Sequence, residues 1–439
     1  MSSSTSSNVV WNNNLFDCEP VWSREPDPSV ISTLARDHLD IPESTPISVN
    51  FFRQGAFNKL YTIKSNLSKS YIFRVTLPVE PFYKTASEVA TLSYLRHHTS
   101  IPVANVVAHS TTTENALGFE WILMECLPGV SLRDIWANFP GDKESEETND
   151  SDSLTASALV PWEQKEEISR AVARYLLQLR KISFKAIGSL YLRSDLKEIT
   201  AIDTEDPQFV IGPLVSMNFF YGGIRSRVTR DLGPYNNEHH YASALTDVVL
   251  REFKLAQELD PDDPQYDEDL IDESPEILEA IEMLQSVLDI VFSRETDPAK
   301  YILHHHDLSL ANILVDPETF KITGIVDWEC IGVVPRWADR HPQFLEGPEV
   351  EMEVERLQKS DIDVARRQRW ENWEKMRLRQ VFDAVIREKD EMKREYILNL
   401  NIVIIWSRKV IKWTQEIRDN TVLDVGIQST ECRCEPLLN

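Results

Sequence analysis

No stretch of this chain reaches the roughly 18 consecutive apolar residues that a membrane-crossing helix requires, so a conventional span is excluded. The opening MSSSTSSNVVWNNN has neither the basic region and apolar core of a secretory signal nor the arginines of a mitochondrial presequence. Cytosolic residence is therefore the expectation. Cysteine is scarce: Cys18, Cys126, Cys330, Cys432 and Cys434 are odd in number and scattered, which predicts reduced thiols. Cys432 and Cys434 have too few companions to form a zinc site. Positive charge is also short. Against 71 acidic side chains stand 46 basic ones, a net charge of -25 that repels nucleic acid and anionic membranes. No internal repeat is visible.

What is present describes a soluble globular protein. Across 439 residues, 42% are apolar and 27% charged, enough for two or three compact units. The acidity is partly local, in 141–153 and 258–276, which read as solvated acidic insertions. Residues 1–27 read as a disordered leader, and 28–40 as a short helix with Val30, Leu34 and Leu39 on its apolar side.

The stretch with most chemistry runs from Tyr301 to Trp328. An apolar strand leads into a polar turn with His305 and Asp307. A hairpin follows, Asn312 to Val315 and Phe320 to Val326, closed by Asp316-Pro317-Glu318-Thr319. Folding it back places Asn312 across from position 324 or 325, so Asp307, Asn312 and Asp327 converge at the open end. A magnesium ion beside phosphates needs hard oxygen ligands, which Asn312 and Asp327 can supply. A nearby carboxylate off the metal, Asp307, can take the proton of an acceptor hydroxyl. The order H-x-D-L-x-x-x-N followed by a second Asp is the kinase pattern, here His305 to Asn312 and then Asp327. His305 braces the turn through the backbone. The triplet His304-His305-His306 is no metal site, because alternate side chains of an extended segment diverge.

Upstream, two β-rich pieces pair around Asn66-Leu67, and the first bends at Gly55-Ala56-Phe57-Asn58. A glycine bend there allows backbone N–H groups to approach a phosphate. Arg74 lies in the strand YIFRVTL, and Glu88 lies on the inward side of the next helix with Leu92 and Leu95. An inward glutamate needs a partner, which predicts an Arg74–Glu88 ion pair. The strand WILMEC then runs into Leu127-Pro128-Gly129, a crossing point between lobes. Further on, Ile168, Val172, Leu176, Leu179 and Ile182 form a core-facing helical stripe. Residues 205–235 read as an aromatic, arginine-bearing loop, either a substrate-pocket wall or an ordered surface segment. Helices follow at about 237–258 and 275–294, and the last third is amphipathic and helical, including 394–417.

The motifs GAFNKLY, YIFRVTLP, WILMECLPG, HHDLSLANILVD and GIVDWE, with Glu88, resemble the aminoglycoside phosphotransferase and choline kinase family over about 50–345. The resemblance implies an α+β, two-lobed protein-kinase-like fold: a small β-rich lobe over 28–127 and a larger, mainly helical lobe over 128–439. It implies magnesium, with ATP or GTP as phosphate donor and a small hydroxylated molecule as acceptor. Asp307 would be the base, Asn312 and Asp327 the metal ligands. Gly55, Ala56, Phe57, Asn58 and Arg74 would lie at the phosphates, with Glu88 holding Arg74 towards them, and Met124, Glu125 and Leu127 would meet the base ring. Arg74 stands where many members have lysine, so a nucleotide-binding scaffold without transfer is the alternative. Asp327-Trp328-Glu329 replaces Asp-Phe-Gly and no Ala-Pro-Glu segment follows, which argues against a protein acceptor.

Overall fold

The computed structural model describes residues 9–13, 18–65, 69–136, 160–196, 199–292, 294, 301–350 and 364–389. The segments 141–153 and 394–417, the turn at Asn66-Leu67, and Cys432 and Cys434 lie outside these residues. The described residues all fall within one compact unit, Met1–Tyr396.

Part of the leader expected to be disordered is ordered. Strands β1 (Val9–Asn13) and β2 (Cys18–Trp22) pair antiparallel, with Val9 opposite Trp22. The reason is aromatic anchoring: Trp11 meets Tyr221 edge-on at 5.7 Å, and Trp22 packs at 5.4 Å from Phe119. Helix α1 (Pro28–His38) is capped by Asp27, which accepts a hydrogen bond from Ser29 N. Its buried positions are Ile31 and Ala35, one step round from the expected Val30, Leu34 and Leu39, which are half-buried.

Strands β3 (Ile47–Gln54), β4 (Asn58–Ser65) and β5 (Tyr71–Thr76) come next, followed by helix α2 (Tyr83–His98). With β6 (Val106–Ser110) and β7 (Glu120–Glu125) they give a five-stranded antiparallel sheet in the order β3-β4-β5-β7-β6. The central strand β5 is buried on both faces, Phe73 and Val75 on one, Ile72, Arg74 and Thr76 on the other. Helix α2 is buried over most of its length because small residues (Thr85, Ala86, Ser87, Ala90, Thr91) let neighbours close in on several sides.

Past β7 the chain turns at Gly129, whose φ is +106°. A Cβ there would lie 2.5 Å from the Val315 carbonyl oxygen, so only glycine fits. The short strand β8 (Val130–Ser131) leads into α3 (Leu132–Ile135), and α4 (Trp162–Lys181) presents the expected stripe, with Ile168, Val172, Leu176 and Leu179 buried. Strands β9 (Ser189–Leu192), β10 (Ile202–Asp203) and β11 (Phe209–Gly212) form a small sheet in the order β10-β11-β9 against α2. Tyr94 of α2 meets Phe209 edge-on at 5.0 Å.

The 205–235 segment is ordered and packed. It contains β11 and α5 (Met217–Phe220), and its arginines are matched by carboxylates: Arg225 with Glu252, Arg227 with Asp263, and Arg230 with Glu80. Helices α6 (Glu238–Glu258) and α7 (Glu268–Val291) follow. The acidic stretch expected to be a linker over 258–276 is thus half helical. Asp267 caps α7, Glu268 and Asp269 complement its N-terminal dipole, and Ile277 and Ile281 are buried beside Phe253.

Strands β12 (Tyr301–His304), β13 (Ile313–Val315), β14 (Ile322–Ile325) and β15 (Gly332–Pro335) close the order of strands. β8 adds to the β13–β14 hairpin in the order β14-β13-β8, and β12 pairs with β15. Helix α8 (Val364–Lys389) packs on α4 through Leu378, Phe382 and Ile386 in the main core. Buried Lys165 and Glu374 join the two helices at 2.5 Å, and Trp136 Nε1 donates to the same carboxylate. The architecture is α+β, with a sheet-rich N-terminal part and a mainly helical remainder.

Candidate active site

The turn before β13 is held by short-range bonds. Leu310–Asn312 form one turn of 3-10 helix, and Asn312 N donates to Ser309 O at 3.1 Å. Asn312 Nδ2 donates to the Asp307 carbonyl at 2.7 Å and to Asp307 Oδ2 at 3.1 Å. Its Oδ1 accepts no hydrogen bond from the described residues and is left for another donor or a cation. Val326 N donates to Asn312 O at 3.0 Å, and Ile313 stands opposite Ile325, so Asp327 follows just beyond Asn312's partner. The register is one to two residues later than expected because a bulge near Val315 leaves Thr323 unopposed. The three expected residues are brought together.

Asp327 has φ +64°, the left-handed region that aspartate enters more readily than most residues. Burial, then the charges of Glu329 and Glu88, push its carboxyl up to about 7 against the pull of Arg74 and Lys84. A bound cation would relieve that cost, so the Asn312 oxygen and Asp327 carboxylate fit a hard metal ion whose other ligands come from phosphate and water. Among the described residues no three His, Cys, Asp or Glu side chains gather into a metal cage.

His305 is a brace. Its Nε2–H donates to Val326 O at 3.2 Å, and its ring meets Trp328 edge-on at 4.6 Å. Burial pushes its imidazole down to about 3, so it is neutral and unsuited to moving a proton at neutral pH. The other two histidines diverge as expected, His304 to Asp339 at 3.2 Å and His306 to solvent.

On the N-terminal side Arg74 and Glu88 make the expected pair. Nη1 donates to Oε1 at 2.7 Å and Nη2 to Oε2, with both side chains almost wholly buried. Gly55 and Ala56 are exposed, and a Cβ on Gly55 would meet nothing within 4 Å, so its surroundings are open. The side chains of Phe57 and Asn58 turn inward, which leaves only their backbone on the side of the bend. Phe57 is buried 5.8 Å from Phe220, and Asn58 Nδ2 donates to Glu329 Oε2 at 2.7 Å. At the crossing, the Glu125 N–H is engaged by Asn105 O at 2.9 Å, which removes it as a donor. The Leu127 N–H makes no hydrogen bond with the described residues, while Met124 is half-buried on β7.

One residue escaped the sequence reading. Lys84, buried at the start of α2, lies 2.5 Å from Glu329 Oε2 and 3.4 Å from Asn58 Oδ1. The available signal was the run of small residues around it, which leaves α2 no broad polar face.

Comparison with known proteins places this site in a family. The model of the phosphotransferase enzyme family matches residues 48–340, about two thirds of the chain. A subtelomeric hrmA-associated cluster protein of Aspergillus fumigatus is 29% identical over 325 residues, 66% of this chain and 59% of its own length. Altered inheritance of mitochondria protein 9, mitochondrial, of Candida glabrata is 25% identical over 73% of this chain and 54% of its own. The chain thus spans less than two thirds of these relatives. The expectation of cytosolic residence is overturned by that relative and its yeast counterparts, which are named as mitochondrial. An aminoglycoside phosphotransferase APH(4)-Ia mutant, in ternary complex with ADP and hygromycin B, aligns over 89% of this chain and 97% of its own. The identity is 14% and the TM-score 0.40.

Proposed function

The chain belongs to the phosphotransferase enzyme family, and from that premise we propose that it moves the γ-phosphoryl group of ATP or GTP to a hydroxyl of a small molecule. The observation that carries this reading is the Asp307–Asn312–Asp327 turn. One carboxylate and one amide oxygen are held within a single hairpin mouth, and a second, partly buried carboxylate follows beside them, its carboxyl raised by burial and by the charges of Glu329 and Glu88.

Asp307 would accept the proton of the acceptor hydroxyl as the new oxygen–phosphorus bond forms. Its carboxylate is oriented by Asn312 Nδ2. Asn312 and Asp327 would hold magnesium, which when bound offsets charge on the phosphate oxygens. Gly55 offers room for close backbone approach, and the Leu127 N–H a donor for the base ring. The Arg74–Glu88 pair fixes α2 against the sheet and keeps a cation near the phosphates.

A nucleotide-binding scaffold is the second reading, favoured by Arg74, whose two terminal nitrogens are both taken by Glu88. The test is incubation with γ-labelled ATP or GTP, magnesium and a panel of hydroxylated metabolites and aminoglycosides. Label in an acceptor with wild type and none with Asp307→Ala supports transfer. Nucleotide binding without transfer to any acceptor would turn the assignment to the scaffold.

A further inference from the structure

Glu329 belongs to the loop that carries Asp327, yet its carboxylate is held by residues from the opposite side of the site. Oε2 accepts Asn58 Nδ2 at 2.7 Å from β4 and Lys84 Nζ at 2.5 Å from the first turn of α2. Asn58 is itself fixed, since Thr76 Oγ1 on β5 donates to Asn58 Oδ1 at 2.9 Å. The Lys84 side chain is 1% exposed and that of Glu329 14%. An ammonium so deeply buried persists because a carboxylate meets it. Sequence separations of 245 and 271 residues make this junction a tie between the nucleotide-side sheet and the metal loop.

The backbone explains how Glu329 gets there. Asp327 and Cys330 both lie in the left-handed region, with φ +64° and +56°. These two positions bracket Trp328 and Glu329. The Trp328 ring is buried on the C-terminal side, where Nε1 donates to Ile325 O at 2.9 Å. Glu329 goes the other way. The same short loop therefore anchors one side chain below the site and one above it, with Asp327 at its start.

We propose that Lys84 and Glu329 form a clasp that positions Asp327. By holding the metal loop against the nucleotide loop strand, the clasp makes cation binding depend on contact between the two sides of the site. This rests on the phosphotransfer reading, in which Asp327 is a metal ligand. Lys84 is a positioning residue: it holds the Asp327 loop through Glu329, besides the pull of its charge on the Asp327 carboxyl, and does not touch the reacting atoms.

The test uses the 439-residue chain, ATP and magnesium. Calorimetric titration gives the ATP dissociation constant over a series of magnesium concentrations for wild type, Lys84→Met, Lys84→Arg, Glu329→Gln and the Lys84→Met/Glu329→Gln double variant. The clasp predicts that Lys84→Met raises the magnesium concentration for half-maximal ATP binding about tenfold. Magnesium-free ATP affinity should change less than about twofold. Lys84→Arg should restore most of the magnesium response, and the double variant should respond better than Lys84→Met because the stranded carboxylate is gone. Should Lys84→Met not fold, Glu329→Gln, which keeps the shape but removes the negative charge that holds the buried ammonium, must show a raised magnesium requirement by itself. An unchanged magnesium requirement in these variants, beside a magnesium-dependent wild type, overturns the clasp alone. A wild type that binds no nucleotide overturns the phosphotransfer reading and, with it, any positioning of a metal ligand.

Discussion

The two sides of the site are built differently. Below, Asp307, Asn312 and Asp327 are arranged by a hairpin, with bonds such as Asn312 to Asp307 that span five residues. Above, Arg74–Glu88, Lys84–Glu329 and Asn58–Glu329 are buried ion pairs and hydrogen bonds, the last two reaching across 245 and 271 residues. The lower side leaves the carboxylates of Asp307 and Asp327 partly exposed and buries only the Asn312 amide, while the upper side encloses two cations with two carboxylates. A local turn can hold catalytic groups in place without burying them. Charges enclosed far from water stay only if each is matched, so the upper side is the more fragile of the two. Removing one partner there threatens folding; removing one below threatens chemistry.

Substitutions can separate these two kinds of dependence. The largest effect is expected from Asp307→Asn: labelled-phosphate transfer should fall by about 10²–10⁴-fold, the usual worth of a general base. Chemical unfolding and nucleotide affinity should stay close to wild type, and an equal loss of stability would erase the contrast between the sides. Next, Arg74→Met strands Glu88 in a buried site and should cost about 3–5 kcal/mol in urea unfolding, as breaking a buried pair does. Arg74→Lys should retain most of that stability, and an Arg74→Met protein as stable as wild type would contradict the enclosed-pair description.

Asp327→Ala sharpens the lower side. Saturating ATP with magnesium, at about 100 times the dissociation constant, should stabilise wild type by roughly 2.7 kcal/mol. Thermal unfolding of the variant should lose the magnesium-dependent share and keep its unliganded midpoint. A smaller effect concerns Asp339, which pairs with His304 and Arg180. Burial pushes its carboxyl up, but His304 and Arg180 outweigh that and hold it below the usual carboxylate range. Its contribution is full above roughly 3.9, the unfolded value, and lost as pH falls through the folded one. Acid unfolding of Asp339→Asn should accordingly differ from wild type at neutral pH and converge with it at the acid end. Last, Lys69→Ala removes an exposed pair with Glu125 and should leave the melting midpoint unchanged, since solvent screens such contacts.

Much of the lower side was legible in the sequence. Apolar strands either side of Asp316-Pro317 fix a hairpin, and a hairpin fixes which residues meet at its mouth. The later register came from a bulge at Thr323, which no local preference announced. The Arg74–Glu88 pair was also readable, since an inward glutamate one helix after a strand arginine has few other partners. The inward turn of the Phe57 and Asn58 side chains was not legible, because nothing local distinguishes them from the exposed Gly55 and Ala56. In fact the chain dives at Phe57, where α5 supplies Phe220 as a packing surface.

Strand alternation, the stripe on α4 and the order His305, Asp307, Asn312, Asp327 were determined by the sequence itself. Each depends on backbone geometry that repeats every few residues. Tertiary structure alone decided that Val9–Asn13 pairs with Cys18–Trp22, that acidic 268–276 is helical, and that Lys84 is buried against Glu329. Those outcomes depend on which distant surface arrives to cover a segment. A lysine at the start of a helix looks the same in sequence whether water or a carboxylate from 245 residues away lies opposite it.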